Sequence, residues 1–200
     1  MHRSSRNIRL ATASDLSAVC ELVNVYIRNS TANFRTEPQE PAEWEALWKE
    51  LHERYPWYVA TAPDGELAGL SYARPWNPRG AYAWSAESTV YVAPGHQGQG
   101  LGAALYGRLL ATLQAQGYRS VVAGVALPNP GSAALHRAAG FEPVGTFRAL
   151  GHKHGDWHDV SYWQRRFSTA AEPPGELRTV AQVVPVTGGD AGRDAGPGGE

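Results

Sequence analysis

One stretch constrains this chain more than any other. From Glu87 it reads ESTVYVAPGHQGQGLGAAL. Alternating residues open a strand, a proline and four glycines in eight residues close it, and a helix of small residues and leucines follows at once. Glycine is conformationally costly, so a turn this rich in it needs a reason. Bare backbone ahead of a helix is the usual cradle for phosphate, because its N–H groups converge and the helix N-terminus favours negative charge. Two such cradles fail here. A P-loop needs a lysine and a hydroxyl after its last glycine, and Gly102 is followed by Ala103 and Ala104. The dinucleotide fingerprint G-x-G-x-x-G/A is met literally by Gly98, Gly100 and Ala103, but it calls for an acid about twenty residues on, at the end of the next strand. That strand reads SVVAGVALPN and carries no acid. A tight turn holding no ligand is the plain alternative.

The rest of the chain narrows the setting. With 200 residues, 42% of them apolar, one domain with a sizeable core is expected. The net charge is −1 with acids and bases interspersed, and no basic block of the kind that grips nucleic acid is present. A single cysteine excludes an internal disulfide and fits a reducing, cytoplasmic compartment. The opening MHRSSRNIRLATASDL has basic residues but no apolar run behind them, which argues against a secretory signal, and no stretch reaches membrane-spanning length. The domain is expected over residues 6–168. Beyond Phe167 the composition turns to Gly, Pro, Ala and acid, so residues 169–200 read as a mostly disordered tail, with TVAQVVPV as the one piece able to dock locally.

Along the domain, IRLAT reads as a strand. Apolar residues at helical spacing from Leu16 to Ile27 predict a helix, and AEWEALWKELHERY after Pro41 predicts a second. PWYVAT and LAGLSYARPW flank an Asp-Gly turn as a hairpin, and AWSAESTVYVAP extends it to a meander. Leu101, Leu105, Leu109 and Leu113 stripe a helix that Gly117 ends. SVVAGVAL is a buried strand, PNPGSAALHRAAGF a short helix, and VGTFRALGHKHGDWHDVSYWQRRF a final hairpin turning at HGD. The order β-α-α-β-β-β-α-β-α-β-β gives an α/β fold: a mixed, mostly antiparallel sheet with one parallel strand–helix–strand crossover and helices on both faces.

The segment Gln97-Gly98-Gln99-Gly100-Leu101-Gly102 fits the pattern Q/R-x-x-G-x-G/A. It resembles the acyl-CoA pyrophosphate loop of the GNAT superfamily of N-acetyltransferases. LPNPGSAALHRAAGF likewise resembles that family's Asn-x-x-Ala-x-x-x-Tyr-x-x-x-Gly-Phe segment, with His136 where many members carry a tyrosine. NSTANFRTEPQEPAEW, ERYPWYVA, AYAWSAESTVYV and KHGDWHDVSYWQ tighten the match to the phosphinothricin (glufosinate, bialaphos-resistance type) N-acetyltransferases, from about Ile8 to Phe167. The resemblance implies the GNAT fold with a central splayed parallel strand pair. It also implies acetyl-CoA as co-substrate, a small amino-acid-like acceptor, a homodimer, and a role in herbicide or antibiotic resistance.

It further implies roles for particular residues. Acetyl transfer needs a neutral amine, a group that takes its proton, and stabilisation of the oxyanion and the departing thiolate. Glu87, by itself a solvated acid at a strand edge, becomes the catalytic base, directly or through a water. His136 becomes a second base or a partner of substrate or sulfur, against the alternative of a histidine packed under the sheet. Tyr106 becomes the proton donor to the thiolate, against a core tyrosine on the leucine stripe. Val90, Tyr91, Val92, Gln97, Gly98, Gln99, Gly100, Leu101, Gly102, Ala103 and Asn129 are expected to hold the co-substrate. Arg79 and Tyr82 are expected to grip the acceptor's anionic group, although Asn77 stands where the resembling enzymes place a lysine. Phe34 and Thr89 would wall the acceptor pocket, and Val125 would offer its backbone carbonyl to the amine. Glu87, Arg79 and His136 should then line one pocket opening on the glycine turn. His152, His154 and His158, with Asp156 and Asp159, invite a metal reading, but this chemistry needs no metal and a turn at HGD accounts for them. Cys20 is expected to be buried and inert. Two rival functions remain open at this point. One is a GNAT enzyme for other small amines or amino acids, such as methionine sulfoximine or sulfone. The other is a non-catalytic acyl-CoA-binding module.

Overall fold

The computed structural model describes residues 7–169 and 174–184. A seven-stranded sheet runs through it: β1 (Asn7–Leu10), β2 (Trp57–Thr61), β3 (Leu67–Pro75), β4 (Ser85–Val92), β5 (Ser120–Ala126), β6 (Glu142–Lys153) and β7 (Asp156–Arg166). The spatial order is β1-β2-β3-β4-β5-β7-β6, and β4–β5 is the parallel pair. The helices are α1 (Leu16–Asn29), α2 (Pro41–Leu51), α3 (Leu101–Gln116), α4 (Pro130–Ala138) and the single turn α5 (Val180–Val183). This is the mixed α/β arrangement expected from the sequence.

Each helix starts and stops where its residues direct. Pro41 occupies the first turn of α2, and Glu40 N–H bonds the Glu43 carboxylate at 2.9 Å. Gly117, at φ 101°, ends α3, and Asn129 caps α4. The apolar faces divide the helices between the two sides of the sheet. Leu16, Val19, Val23 and Ile27 of α1 pack with Trp57, Val59, Leu70, Tyr72 and Tyr91. Leu101, Leu105, Leu109 and Leu113 of α3, each 0–1% exposed, pack on the other face with Tyr58, Ala73, Ala86, Val121 and Val125. Burying each of these leucines contributes roughly 1.5–3 kcal/mol. Alternation along β4 therefore sends Ala86 and Ser88 to the α3 face, and Glu87, Thr89 and Tyr91 to the α1 face.

Part of the stretch assigned to the tail lies against this body. Trp84 Nε1 donates to the Gly175 carbonyl at 2.9 Å, Arg178 N–H to that of Gln116 at 2.9 Å, and Val180 N–H to that of Glu53 at 2.8 Å. Val180 is buried, so TVAQV docks. The disorder expected for the remainder of 169–200 falls largely outside the described residues.

Candidate active site

The glycine turn forms one end of the site. After β4, Pro94–His96 make a 3-10 turn, and Gly98 and Gly100 adopt φ of 69° and 78°. A side chain would be strained at both positions, yet nothing lies within 4 Å of where either Cβ would sit. The strain requires glycine, and the vacant space leaves room for a ligand. Gly100 is the N-cap of α3 and no side chain caps the helix. The Ala104 N–H bonds the Gly100 carbonyl at 3.1 Å, which leaves the N–H groups of Leu101, Gly102 and Ala103 without intrahelical acceptors. Three donors and the positive end of a helix dipole suit a pyrophosphate. The side chains of Gln97 and Gln99 are engaged elsewhere. Gln97 Nε2 bonds Tyr26 Oη at 2.9 Å and the Val92 carbonyl at 3.3 Å, and Gln99 Nε2 bonds the Gly95 carbonyl at 3.2 Å. They brace the turn and leave anion contact to the backbone.

The middle of the site is a gap between β4 and β5. Their pairing stops at Glu87↔Val122, although β4 runs on to Val92 and β5 to Ala126. The outer partners set which backbone groups face this gap. Ala93 N–H bonds the Ala68 carbonyl at 2.9 Å, so Tyr91 turns its backbone to β3, and Val90 and Val92 turn theirs to the gap. The Val92 carbonyl is taken by the Tyr26 hydroxyl at 2.6 Å, so Val90 and the Val92 N–H are what β4 offers an extended amide chain. Tyr91, expected to touch the co-substrate, has its side chain buried instead, with its hydroxyl accepting from Asn33 Nδ2 at 3.0 Å. On the other side, Leu127 N–H bonds the Asp159 carbonyl at 2.9 Å, which turns Val125 toward β7. The carbonyl expected from Val125 is thus not in the gap. Gly124 and Ala126 face it, and the Val125 side chain is core. Asn129, just past β5, has its Oδ1 committed to the Ser132 N–H at 3.0 Å, leaving its amide nitrogen for a ligand.

At the apex of the gap two polar groups lie on opposite faces of the sheet. On the α3 face the Ser88 hydroxyl is 2.7 Å from Tyr106 Oη and 3.4 Å from the Val122 carbonyl, so a buried phenol reaches the point where the strands part. Burial pushes the Tyr106 phenol up, with Ser88 offsetting only part of the shift, and the group stays protonated at neutral pH. Its ring stacks on Phe141 at 5.3 Å and meets the edge of His136 at 5.4 Å. His136 is 8% exposed, with Nδ1 2.7 Å from the Ser132 carbonyl. Burial lowers its pKa against the opposing pull of that hydrogen bond, which favours the neutral ring. On the α1 face Glu87 Oε2 accepts from Arg74 Nε at 2.7 Å. The sheet therefore separates Glu87 from His136, and the single pocket expected to hold both does not form. His136 takes the packed position instead.

The expected acceptor-binding residues divide. Arg79 and Tyr82 are exposed in the loop that joins β3 to β4 beside Glu87, and among the described residues no carboxylate pairs with the Arg79 guanidinium. Asn77 shapes this loop, its Oδ1 accepting the Arg79 N–H at 3.0 Å. Thr89 lies on the Glu87 face, opposite Tyr72 in the β3–β4 register. Phe34 sits in the α1–α2 loop with its ring against Gly151, where an added Cβ would approach to 2.5 Å, and 6.1 Å from the His158 ring. That loop is tied across the open end of the gap. Asn33 reaches Tyr91 of β4, while Lys153 of β6 donates to the carbonyls of Ile27 (2.6 Å), Ser30 (3.0 Å) and Asn33 (2.6 Å).

The hairpin histidines do not converge. His158 Nε2 lies 2.9 Å from the Lys153 carbonyl, His152 packs on Trp157, and His154 takes φ 54° in the turn. Among the described residues no three His, Cys, Asp or Glu side chains cluster as metal ligands do. Cys20 is buried, its thiol donating to the Gln39 carbonyl at 3.1 Å. Arg74, Ser88, Tyr26 and Lys153 take part in the site with no role expected from the sequence. Arg74 had a signal in the hairpin register, since it lies directly opposite Glu87.

A sheet parted between two parallel strands, with an uncapped helix terminus at the open side and polar groups at the apex, defines a class: transferases that take their acyl group from coenzyme A. The comparisons with known proteins agree. Residues 21–141 match the acetyltransferase (GNAT) family, and this chain belongs to it. It is 54% identical over 176 residues to a phosphinothricin N-acetyltransferase of Streptomyces viridochromogenes, covering 88% of this chain and 95% of the relative. It is 32% identical to an L-methionine sulfoximine/L-methionine sulfone acetyltransferase of Pseudomonas paraeruginosa, covering 85% and 99%. Its fold matches the crystal structure of a GNAT superfamily phosphinothricin acetyltransferase from Sinorhizobium meliloti in complex with AcCoA, with a TM-score of 0.82, 33% identity, and coverage of 91% and 97%.

Proposed function

We propose that this enzyme transfers the acetyl group of acetyl-CoA to the free amino group of phosphinothricin or a close amino-acid analogue and so detoxifies it. The observation that carries this reading is the apex of the strand gap. There Glu87 stands on one face and the buried Tyr106 phenol on the other, with the uncapped α3 terminus at the open side. The thioester supplies an activated acetyl group. The N–H groups of Leu101, Gly102 and Ala103 hold the pyrophosphate, and Val90, Gly124 and Ala126 line the pantetheine arm. Glu87 accepts a proton from the acceptor's ammonium, directly or through water. The freed nitrogen bonds to the acetyl carbon as the carbon–sulfur bond breaks, and Tyr106 protonates the leaving sulfur. Of the two protons the ammonium loses, one balances that on sulfur and one goes to solvent. His136 packs against the Tyr106 ring and holds it in place.

The similarity to sulfoximine and sulfone acetyltransferases supports a second acceptor class for the same site. Thiol release from acetyl-CoA, measured with phosphinothricin, methionine sulfoximine, methionine sulfone and ordinary amino acids, decides between them. Phosphinothricin or a tetrahedral analogue is expected to give the highest kcat/KM. Equal or faster turnover of unrelated amines refutes the assignment.

Two further readings accompany this one. The enzyme works as a homodimer: edge strand β6 exposes Val144, Phe147 and Leu150, with Trp157 beside them, a row that a second copy would cover. Light scattering on the purified protein tests it, and a monomer at micromolar concentration contradicts it. The reaction runs in the cytoplasm, in keeping with a single cysteine that is buried. Fractionation of expressing cells checks that location.

A further inference from the structure

The ion pair at Glu87 has an unused half. Arg74 and Glu87 face each other across the β3–β4 ladder, and one hydrogen bond joins them, Nε to Oε2 at 2.7 Å. Among the described residues the two terminal guanidinium nitrogens of Arg74 have no hydrogen-bond partner, and neither does Oε1 of Glu87. The Arg74 side chain is 48% exposed and that of Glu87 20%. Covalent geometry keeps the free guanidinium fork and the free carboxylate oxygen within a few ångströms of each other. A donor fork beside an acceptor oxygen complements the ammonium and carboxylate on the α-carbon of an amino acid. A single cross-strand ion pair that is still half open to solvent contributes little to stability, about 0–1 kcal/mol, so stability alone gives this arginine no strong reason to be here.

Next to the pair lies a cavity of about 390 Å³, lined by Trp76, Val122, Val144, Phe147, Tyr162 and Gln164. Val122 is the β5 partner of Glu87, and Gln164 is paired with Val122 in turn, so the cavity continues the same face of the sheet. The charges of Glu87 and Arg74 both reach the Tyr162 phenol, which burial raises first and Glu87 raises further while Arg74 opposes. The lining is mainly apolar, and the ion pair lies one strand away across the Glu87–Val122 register, as suits an α-amino acid with a side chain of several carbons.

We infer that Arg74 is the receptor for the substrate's α-carboxylate: its Nε fixes Glu87, and its terminal fork takes the carboxylate of an amino acid whose ammonium lies against Glu87. This assignment rests on the acetyltransferase reading above and adds to it the residue that selects amino acids over plain amines.

The test compares methionine sulfone with two relatives that lack the carboxylate, its primary amide and 3-(methylsulfonyl)propylamine. The amine of the first is less basic than that of the amino acid and the amine of the second more basic, so the pair brackets the effect of basicity. Thiol release at saturating acetyl-CoA is measured for wild type, Arg74→Gln and Arg74→Lys. Wild type is expected to favour the acid by about 30-fold in kcat/KM, the worth of one forked, charge-assisted contact. In Arg74→Gln that preference collapses, chiefly through KM for the acid, and Arg74→Lys retains part of it. If Arg74→Gln lowers turnover of acid and amide by the same factor, Arg74 only steadies Glu87 and the assignment is overturned. A wild type indifferent to the carboxylate overturns it equally, with acetyl transfer left standing. A wild type that releases no thiol with any of the three acceptors, or with phosphinothricin, contradicts the acetyltransferase reading itself and removes this assignment with it.

Discussion

Replacing Tyr106 by phenylalanine removes one oxygen from the apex of the strand gap and leaves its surroundings otherwise unchanged. The ring remains stacked on Phe141 and edge-on to His136, and no cavity larger than a hydroxyl opens. The stability cost follows from the 2.7 Å bond to Ser88. Once that partner is lost, the serine hydroxyl still has the Val122 carbonyl at 3.4 Å, so it is weakly satisfied rather than stranded. A single neutral hydrogen bond of this kind contributes about 1 kcal/mol. That lowers the melting temperature of a domain this size by about 2–4 °C. The catalytic cost is larger. A positioned proton donor contributes about 100-fold or more, so kcat is expected to fall by at least about 2.7 kcal/mol in barrier terms. KM for acetyl-CoA should hold, because the phenol lies at the apex and not at the pyrophosphate turn. Steady-state thiol release and differential scanning fluorimetry separate the two effects. Burial keeps the phenol protonated, so the lowered rate should retain the wild-type pH profile up to about pH 10. A kcat within about threefold of wild type, far below the contribution of a proton donor, refutes the role given to Tyr106 and makes it a core residue.

Gly100→Ala forces a side chain into φ 78° and should cost about 1–2 kcal/mol of stability. It also disturbs the donors that face the pyrophosphate, so KM for acetyl-CoA should rise by about tenfold, near 1.4 kcal/mol; urea unfolding and acetyl-CoA titration report each effect, and an unchanged KM contradicts the anion site. His136, whose folded pKa is lowered by burial, makes stability pH-dependent: the unfolded chain binds the proton more readily, so stability is full above about pH 6.5 and declines as pH falls through the folded value. Melting curves of His136→Gln should decline less steeply on acidification than those of wild type, and parallel curves refute the buried neutral ring.

Much of the fold was legible because its signals are local. The four-residue leucine steps, Pro41, Gly117 and the alternation in STVYV each act within a turn or a strand. The glycine turn was legible for the same reason, since Gly98 and Gly100 need positive φ whatever surrounds them. The apex was harder because it depends on strand phase. Val125 and Gly124 look equivalent in an apolar run, and only the bond from Leu127 to Asp159, a residue far along the chain, fixes which carbonyl enters the gap. His136 lies on the opposite face from Glu87 because α4 folds back beside α3, which spacing in the sequence does not reveal. Lys153 bonds three carbonyls more than a hundred residues away in sequence, and no local pattern marks it.

Glu87 is the group proposed to remove the acceptor's proton. Glu87→Gln keeps the shape of the side chain and an oxygen for the Arg74 Nε to bond, while removing the base. With phosphinothricin or methionine sulfone as acceptor, kcat is expected to fall by about 100- to 10,000-fold, with acetyl-CoA affinity at the wild-type value. Acetyl transfer at the wild-type rate in that variant contradicts that role for Glu87.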